Sequence, residues 1–254
     1  MHGLWGGLVR RFAALPSTNT WALGQLARLG QGDVVWANAQ TAGRGRFGRS
    51  WLALPGKGLT FSVILRGARY VPLAPNLGQF AAWAVRDTLA GFGLTAQLKW
   101  PNDVMATGGK IAGILVEKSS AADAFVIGVG LNVNVSSRDF RAAALDRPAT
   151  SMAVAGLRRF APRKVLRALL AALQSRLDQG AGEGLAPLLA AWARHDWLAG
   201  HMIEVHGPDA VLRGHYEGLD EAGRLCLRDD GGHKHLLWTG DVERIVVSSP
   251  DRRG

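Results

Sequence analysis

Between Gln40 and Trp51 the chain reads Gln-Thr-Ala-Gly-Arg-Gly-Arg-Phe-Gly-Arg-Ser-Trp. Gly43 to Arg49 alone holds three glycines and three arginines in seven residues. Glycine lets a backbone turn and approach a ligand closely. Arginine presents a planar fork of donors that matches phosphate or carboxylate. Trp51 closes the stretch with a flat face suited to a base. This composition fits a loop that wraps an anion. A solvated basic loop, or a grip on nucleic-acid backbone, has the same composition, so the loop alone does not choose among them. It is not a Walker loop, because no Gly-Lys-Ser/Thr follows. Its glycine spacing is not that of the dinucleotide fingerprint either.

Other stretches offer polar groups to such a site. Ser17-Thr18-Asn19 opens a helix, where capping is the plain reading. Hydroxyl and amide groups gathered at a helix start also suit a polar ligand. Lys99 ends a strand and could reach a phosphate, although a strand-end lysine is commonly solvated. Gly113 interrupts an apolar strand, and close approach of a ligand is one reason for it. Asn132 and Asn134 end another strand, where turn chemistry suffices. His233 and His235 alternate on a short strand as polar surface positions, so no metal ligands are assigned.

Composition limits the function classes. The 254 residues hold one large domain, or one medium and one small. A hydrophobic share of 48% and a charged share of 20% are those of a globular protein. No apolar run reaches the ~18 residues of a membrane span, and the N-terminal residues lack a signal-peptide layout. One cysteine, Cys226, excludes an internal disulfide and suits a reducing compartment. These features predict a cytoplasmic protein without a membrane partner. The formal charge of +10 invites a nucleic-acid reading. Yet the basic residues are scattered, apart from the glycine-rich loop and the end Asp251-Arg252-Arg253-Gly254. There is no helix-turn-helix ahead of the site and no zinc-finger spacing, so an anionic substrate accounts for the charge as well.

The elements that must position these residues follow from pattern. Leu8–Phe12 predicts a first strand. Ser17 or Thr18 caps a helix with Trp21, Leu23, Leu26 and Leu29 on its apolar stripe. Val34–Ala37 is a short buried strand that delivers Gln40, and Leu59–Leu65 is the next strand. Pro75–Gly91 reads as a helix and Leu94–Trp100 as a strand. The polar loop Lys99–Val104 and the Gly108-Gly109 turn lead into the strand Lys110–Glu117 as a hairpin. Phe125–Asn134 is another buried strand. Residues 136–161 read as loop. Pro162 starts a helix that runs to about Gln179 and is broken by Gly180–Gly184, and Leu188–Trp197 is a further helix. After residue 200 five short strands alternate with turns (202–205, 211–216, 224–228, 235–238 and 242–247), which suggests a small SH3-like barrel. The expected domains are 1–199 and 200–254.

Taken in order, these motifs resemble the biotin protein ligases, or biotin–[acetyl-CoA-carboxylase] ligases. The resemblance rests on Ser17-Thr18-Asn19, the Gln40–Trp51 stretch, Lys99-Trp100-Pro101-Asn102-Asp103, Lys110–Glu117 and Gly128–Asn134. It implies an α+β fold: a mixed sheet flanked by helices, akin to class II aminoacyl-tRNA synthetases, with the small C-terminal barrel. It implies two steps. Biotin and ATP give biotinyl-5′-AMP, and a lysine of a biotin carboxyl carrier domain then takes the biotin. ATP with Mg²⁺ and biotin are the implied ligands, and a homodimer is compatible.

The resemblance also implies residue roles. Ser17, Thr18, Asn19 and Gln40 would bond biotin's fused rings. Arg44 and Arg46 would clamp carboxylate and phosphate as Gly43, Gly45 and Gly48 let the loop close. Arg49 would serve the nucleotide and Trp51 would line the adenine pocket. Lys99, with Arg46, would stabilise charge in the reaction. Gly113 would let biotin lie against its strand, and Asn132 would sit near phosphate or metal. No general base is obvious, and Asp103 is a candidate helper. Ser17-Thr18-Asn19 lies too near the start for a preceding DNA-binding domain, so a ligase without repressor function is expected. The related lipoate ligases and octanoyltransferases are the nearest rival. The transferases need a catalytic-domain cysteine, and Cys226 falls in the expected barrel. A non-catalytic binding module is the other.

Overall fold

The computed structural model describes residues 2–119, 123–207 and 210–246. Seven strands make the first sheet: β1 (Val9–Phe12), β2 (Val34–Ala37), β3 (Gly58–Arg66), β4 (Gln97–Lys99), β5 (Asp103–Ala106), β6 (Gly109–Lys118) and β7 (Ala124–Asn132). Their order is β1-β2-β3-β7-β6-β5-β4. Only β1 and β2 run parallel; the remaining pairs are antiparallel.

Strand alternation gives this sheet two unlike faces. Leu59, Phe61, Val63 and Leu65 of β3 point one way, with Ile114 of β6 and Ile127 and Val129 of β7. They form the main core with α2 (Leu77–Gly91) and α5 (Pro162–Glu183). The other face carries small and polar residues in register. Thr60 pairs with Gly130, and Gly130 with Gly113. One step along, Ser62 pairs with Gly128, and Gly128 with Leu115. Beyond them Ile64 and Val126 join a second apolar cluster under α1 (Thr18–Gly24), through Ala22 and Leu26. Helix α1 therefore covers one end of this face and leaves the glycine-lined part open.

Two short helices, α3 (Ser137–Ala142) and α4 (Met152–Ala155), lie in the stretch expected to be loop. Their Ser136 and Ser151 caps are the local signal that marks them. The segment between α3 and α4 reaches back over the open face. α5 continues through Gly180 and ends at Gly184, whose φ of 74° suits glycine. The expected break at Gly180 is absent because that glycine serves packing. A Cβ there would stand 2.5 Å from Phe80 Cζ of α2. Helix α6 (Ala186–Arg194) follows. The expected strand at Leu94–Trp100 shortens to β4, since residues 100–102 form the turn into β5.

The second sheet is antiparallel, with β8 (Met202–His206), β9 (Val211–Leu219), β10 (Leu225–Arg228), β11 (Lys234–Leu237) and β12 (Asp241–Val246) in the order β11-β10-β9-β8-β12. The last strand returns beside the first, as a small barrel requires. Pro208, Asp209, Val247 and the basic end at 251–254 lie outside the described residues. The main apolar cluster runs on through Trp100, Trp192 and Leu198 into Ile203, Tyr216 and Val242 of this sheet. Tyr216 also donates a 2.5 Å hydrogen bond to Asp196. The second sheet is thus fastened to the first by buried apolar side chains and a partly buried polar contact.

Candidate active site

A cavity of about 600 Å³ opens on the glycine-lined face of the first sheet. Its floor exists because Cβ atoms are missing. A Cβ on Gly128 would stand 2.2 Å from Asn19 Oδ1, and one on Gly130 would stand 2.3 Å from Trp51 Cε2. A Cβ on Gly113 would meet Lys110 Nζ at 2.9 Å and Trp51 Cζ3 at 3.2 Å. The indole of Trp51 therefore lies across Gly113 and Gly130, which are direct cross-strand partners. The Lys110 ammonium stands 5.7 Å from the centre of that ring.

One end of the cavity is a chain of hydroxyl and amide groups. Ser17 caps α1, accepting from Thr20 N at 3.4 Å, so the capping reading holds while Ser17 also lines the cavity. Gln40 Oε1 accepts from Thr18 N at 2.8 Å and Thr18 Oγ1 at 3.0 Å. Ser62 Oγ, fully buried, lies 2.8 Å from Thr18 Oγ1 and 2.6 Å from Asn19 Oδ1. Asn19 Nδ2 donates to Leu115 O at 3.1 Å and to Glu117 Oε2 at 2.8 Å. Glu117 in turn receives Arg44 Nη2 at 2.8 Å. Buried polar groups tied this way hold their rotamers, because breaking one contact leaves its partner unsatisfied.

The other end is cationic and is built from loops. The glycine–arginine loop closes on itself: Gly45 N donates to Arg49 O at 2.7 Å, and Trp51 N to Gly43 O at 2.9 Å. Its tip takes two successive left-handed residues, Phe47 at φ 53° and Gly48 at φ 74°. Arg46 leaves the loop toward the second sheet. It donates to Thr239 Oγ1 at 2.6 Å and Gly240 O at 3.3 Å, and to Asn102 Oδ1 at 3.4 Å. Arg49 pairs with Asp241, which also receives Arg147 at 3.1 Å. Lys99 Nζ donates to Val242 O at 2.9 Å. Burial lowers the Lys99 pKa, although Asp103 and Asp241 oppose that fall. Burial also lowers the Arg46 pKa, against the pull of Asp241 and Asp103. An arginine so affected still stays protonated. Lys110 pairs with Asp103 at 2.6 Å.

Most residues expected at the site meet in this one cavity. Ser17, Thr18, Asn19 and Gln40 line its polar end; Arg44, Gly45, Arg46, Gly48 and Arg49 line its rim; and Trp51, Gly113 and Asn132 line its floor. Asn132 is buried, and its amide donates to Thr150 O at 3.0 Å. Gly43 and Lys99 do not line the cavity. Gly43 supports Trp51, whose carbonyl oxygen would lie 2.5 Å from a Cβ at that position. Lys99 stands behind the wall, between Asp103 and β12. The space above Gly113 is filled by Trp51 and Lys110.

Lys110, Glu117, Gly128 and Gly130 fall in motifs that carry the resemblance but had no individual roles, and Ser62, Arg147 and Asp241 fall in no site motif. For Ser62 a signal existed: Thr60 and Ser62 alternate with apolar residues along β3, marking one polar face. Cys226 sits buried on β10, where burial raises its thiol pKa, so it offers no nucleophile to the cavity.

The site is thus a glycine-floored sheet with an arginine-rich loop above it and a small sheet at its edge. Residues 11–134 match the biotin/lipoate A/B protein ligase family. The chain is 38% identical to the biotin–[acetyl-CoA-carboxylase] ligase of Mycobacterium tuberculosis, over 84% of this chain and 79% of that protein. It is 33% identical to the Paracoccus denitrificans enzyme of the same name, over 87% and 95%. It is 32% identical to the bifunctional ligase/repressor BirA of Bacillus spizizenii, spanning 66% of that longer protein. The fold is that of the Aquifex aeolicus biotin protein ligase determined with biotin and ATP, at a TM-score of 0.81, covering 94% of this chain and 99% of that one at 24% identity. The chain belongs to the biotin protein ligase family.

Proposed function

We propose that the protein is an ATP-dependent biotin–[biotin carboxyl carrier protein] ligase. The observation that carries this reading is that a single cavity joins the hydroxyl–amide network to the cation cluster across a floor of glycines. A neutral bicyclic head with a carboxylate tail fits the first end. A nucleotide fits the second, with its base beside Trp51 and its phosphates among Arg46, Arg49 and Lys110.

In the first step the biotin carboxylate attacks the α-phosphate, the bond to the β-phosphate breaks and pyrophosphate leaves. Two anions must be held together, so positioning and charge neutralisation are the chief demands. Arg44 and Arg46 hold carboxylate and phosphate, and Lys99, held on Val242 O behind the cavity wall, adds positive charge toward the charge that develops. The loop then shields the mixed anhydride from water. In the second step the amine of a carrier lysine attacks the acyl carbon and AMP leaves with the bonding electrons. The amine loses its proton, and we assign Asp103, a carboxylate of the cavity lining, to take it.

No cluster of three or more metal-ligating side chains exists among the described residues. Mg²⁺ would enter on the nucleotide, because this ion usually takes one or two carboxylates plus phosphates. It would neutralise phosphate charge, with Asp103 as the donor beside the site. The acceptor is a biotin carboxyl carrier domain. A homodimer and a cytoplasmic location accord with this reading. No helix among the described residues is long and apolar enough to cross a membrane. We assign no specific nucleic-acid partner and no repressor role, and protection of operator DNA by the protein would overturn that part.

The test is incubation with biotin, ATP, Mg²⁺ and a carrier domain, followed by intact mass. One biotin on one lysine, dependent on ATP, is expected. An unmodified carrier, or modification by lipoate alone, would contradict the reading.

A further inference from the structure

Arg147 belongs to neither the glycine–arginine loop nor any recognised motif. It comes from the segment between α3 and α4, and its neighbours Leu145, Asp146 and Pro148 form the cavity rim with it. Arg49 of the loop lines the same cavity. Both guanidiniums converge on one carboxylate. Arg147 Nη1 contacts Asp241 Oδ1 at 3.1 Å, and Arg49 Nη1 contacts Asp241 Oδ2. Asp241 is only 19% exposed and lies at the start of β12, so it belongs to the second sheet. Three separate stretches of chain therefore meet at this carboxylate.

The surroundings are unbalanced in charge. Besides the two arginines, Lys99, Arg46 and Lys110 crowd the same end, against Asp103, Asp146 and Asp241. Burial alone would raise the Asp241 pKa. Arg147, Arg49 and Lys99 outweigh it and hold the carboxyl below its usual range. Like-charged guanidiniums repel unless an anion lies between them. Asp241 supplies that anion and keeps the two forks side by side at the rim. Paired arginines are well suited to phosphate oxygens, which accept two parallel N–H bonds from each fork.

We propose that Arg147, together with Arg49, binds the outer phosphates of the nucleotide and the departing pyrophosphate, and that Asp241 is the positioning residue that aligns the two. This inference rests on the ligase reading above. It gives the second sheet a task in the first step, because its carboxylate sets the width of the phosphate clamp.

The test compares wild type with Arg147→Ala, Arg147→Lys and Asp241→Asn in biotin-dependent pyrophosphate exchange, with thermal unfolding of each. Arg147→Ala should raise KM for ATP roughly tenfold, the scale of losing one charge-assisted hydrogen bond. The inhibition constant for added pyrophosphate should rise in parallel, and KM for biotin should stay within about twofold. Arg147→Lys should recover part of the loss, since it keeps the charge without the fork. Asp241→Asn should raise KM for ATP by a smaller factor. An unchanged KM for ATP in folded Arg147→Ala would overturn the proposal. So would a joint rise of both KM values with a lowered melting temperature, which marks a structural role. If Arg147→Ala does not fold, Arg147→Lys decides: an unchanged KM for ATP overturns the proposal. Wild type without biotin-dependent exchange would instead sink the ligase reading itself.

Discussion

The two ends of the cavity are built by different means. The polar end stands on sheet register. Ser62, Gly128 and Leu115 are cross-strand neighbours; Thr18 and Asn19 dock on Ser62 and Leu115 through hydrogen bonds, and Gln40 in turn accepts from Thr18. The cationic end stands on loops, and its arginines and lysine are pinned by the second sheet through Thr239, Gly240, Asp241 and Val242. The first end is fixed within one sheet, by strand pairing and by the bonds of Asn19 to Leu115 and Glu117. The second is fixed only when residues almost two hundred apart in the chain come together, as in the Arg46–Gly240 contact. On the proposed function, one half would keep biotin on a single sheet while the other, assembled across two sheets, would hold the nucleotide that is cleaved and released.

Substitutions at each end should separate these contributions. The largest effect is expected for Lys99→Ala, which removes a buried charge and its tie to Val242. Adenylate formation should fall by ~10²-fold or more with little change in KM for biotin. A near-wild-type single-turnover rate would take Lys99 out of the chemistry. Gly128→Ala, at the other end, forces a methyl group against Asn19 Oδ1. KM for biotin should rise by about tenfold or more with KM for ATP unchanged, because a displaced Asn19 loses its bonds to Ser62 and Glu117. Equal effects on both KM values would mean that the ends are coupled.

Arg46→Gly should loosen the loop from Thr239 and Gly240 and let activated biotin escape. Labelling of lysines on unrelated proteins would report this, and unchanged selectivity would show that Arg46 is not part of the seal. The smallest effect lies away from the cavity, at Asp33. This buried carboxylate accepts from Leu8 N at 2.7 Å, Gly30 N at 3.1 Å and Arg10 Nη1 at 2.6 Å. Burial raises its pKa, but these donors outweigh that, and the net shift is downward. A lowered folded pKa adds stability above the unfolded value near ~4, lost as pH falls through the folded value. Asp33→Asn should therefore lower the melting temperature at pH 7 and narrow its gap from wild type toward pH 3. A gap of undiminished size at pH 3 would refute the charge argument.

Much of the polar end was legible in the sequence, because its signals are local. Ser17-Thr18-Asn19 marks a helix start, and glycines inside apolar strands mark places where something must come close. What comes close over Gly113 and Gly130 was not legible, since Trp51 reaches them from a distant loop. Gly180 misled for the same reason. Its local reading is a helix break, whereas its actual constraint is Phe80 of another helix. The cationic end was half visible. Arginines in a glycine-rich loop announce an anion. But Gly240-Asp241 reads as ordinary turn chemistry, and Arg147 lies in a stretch without periodicity. Neither shows its role until the second sheet docks.

The most direct test of the central claim is exchange of labelled pyrophosphate into ATP with Mg²⁺, measured with biotin and, in parallel, with lipoate and octanoate. Exchange with biotin alone is expected, since the hydroxyl–amide network offers donors and acceptors to a polar fused ring. Exchange with lipoate or octanoate in its place, or none with any acid from folded protein, would contradict it.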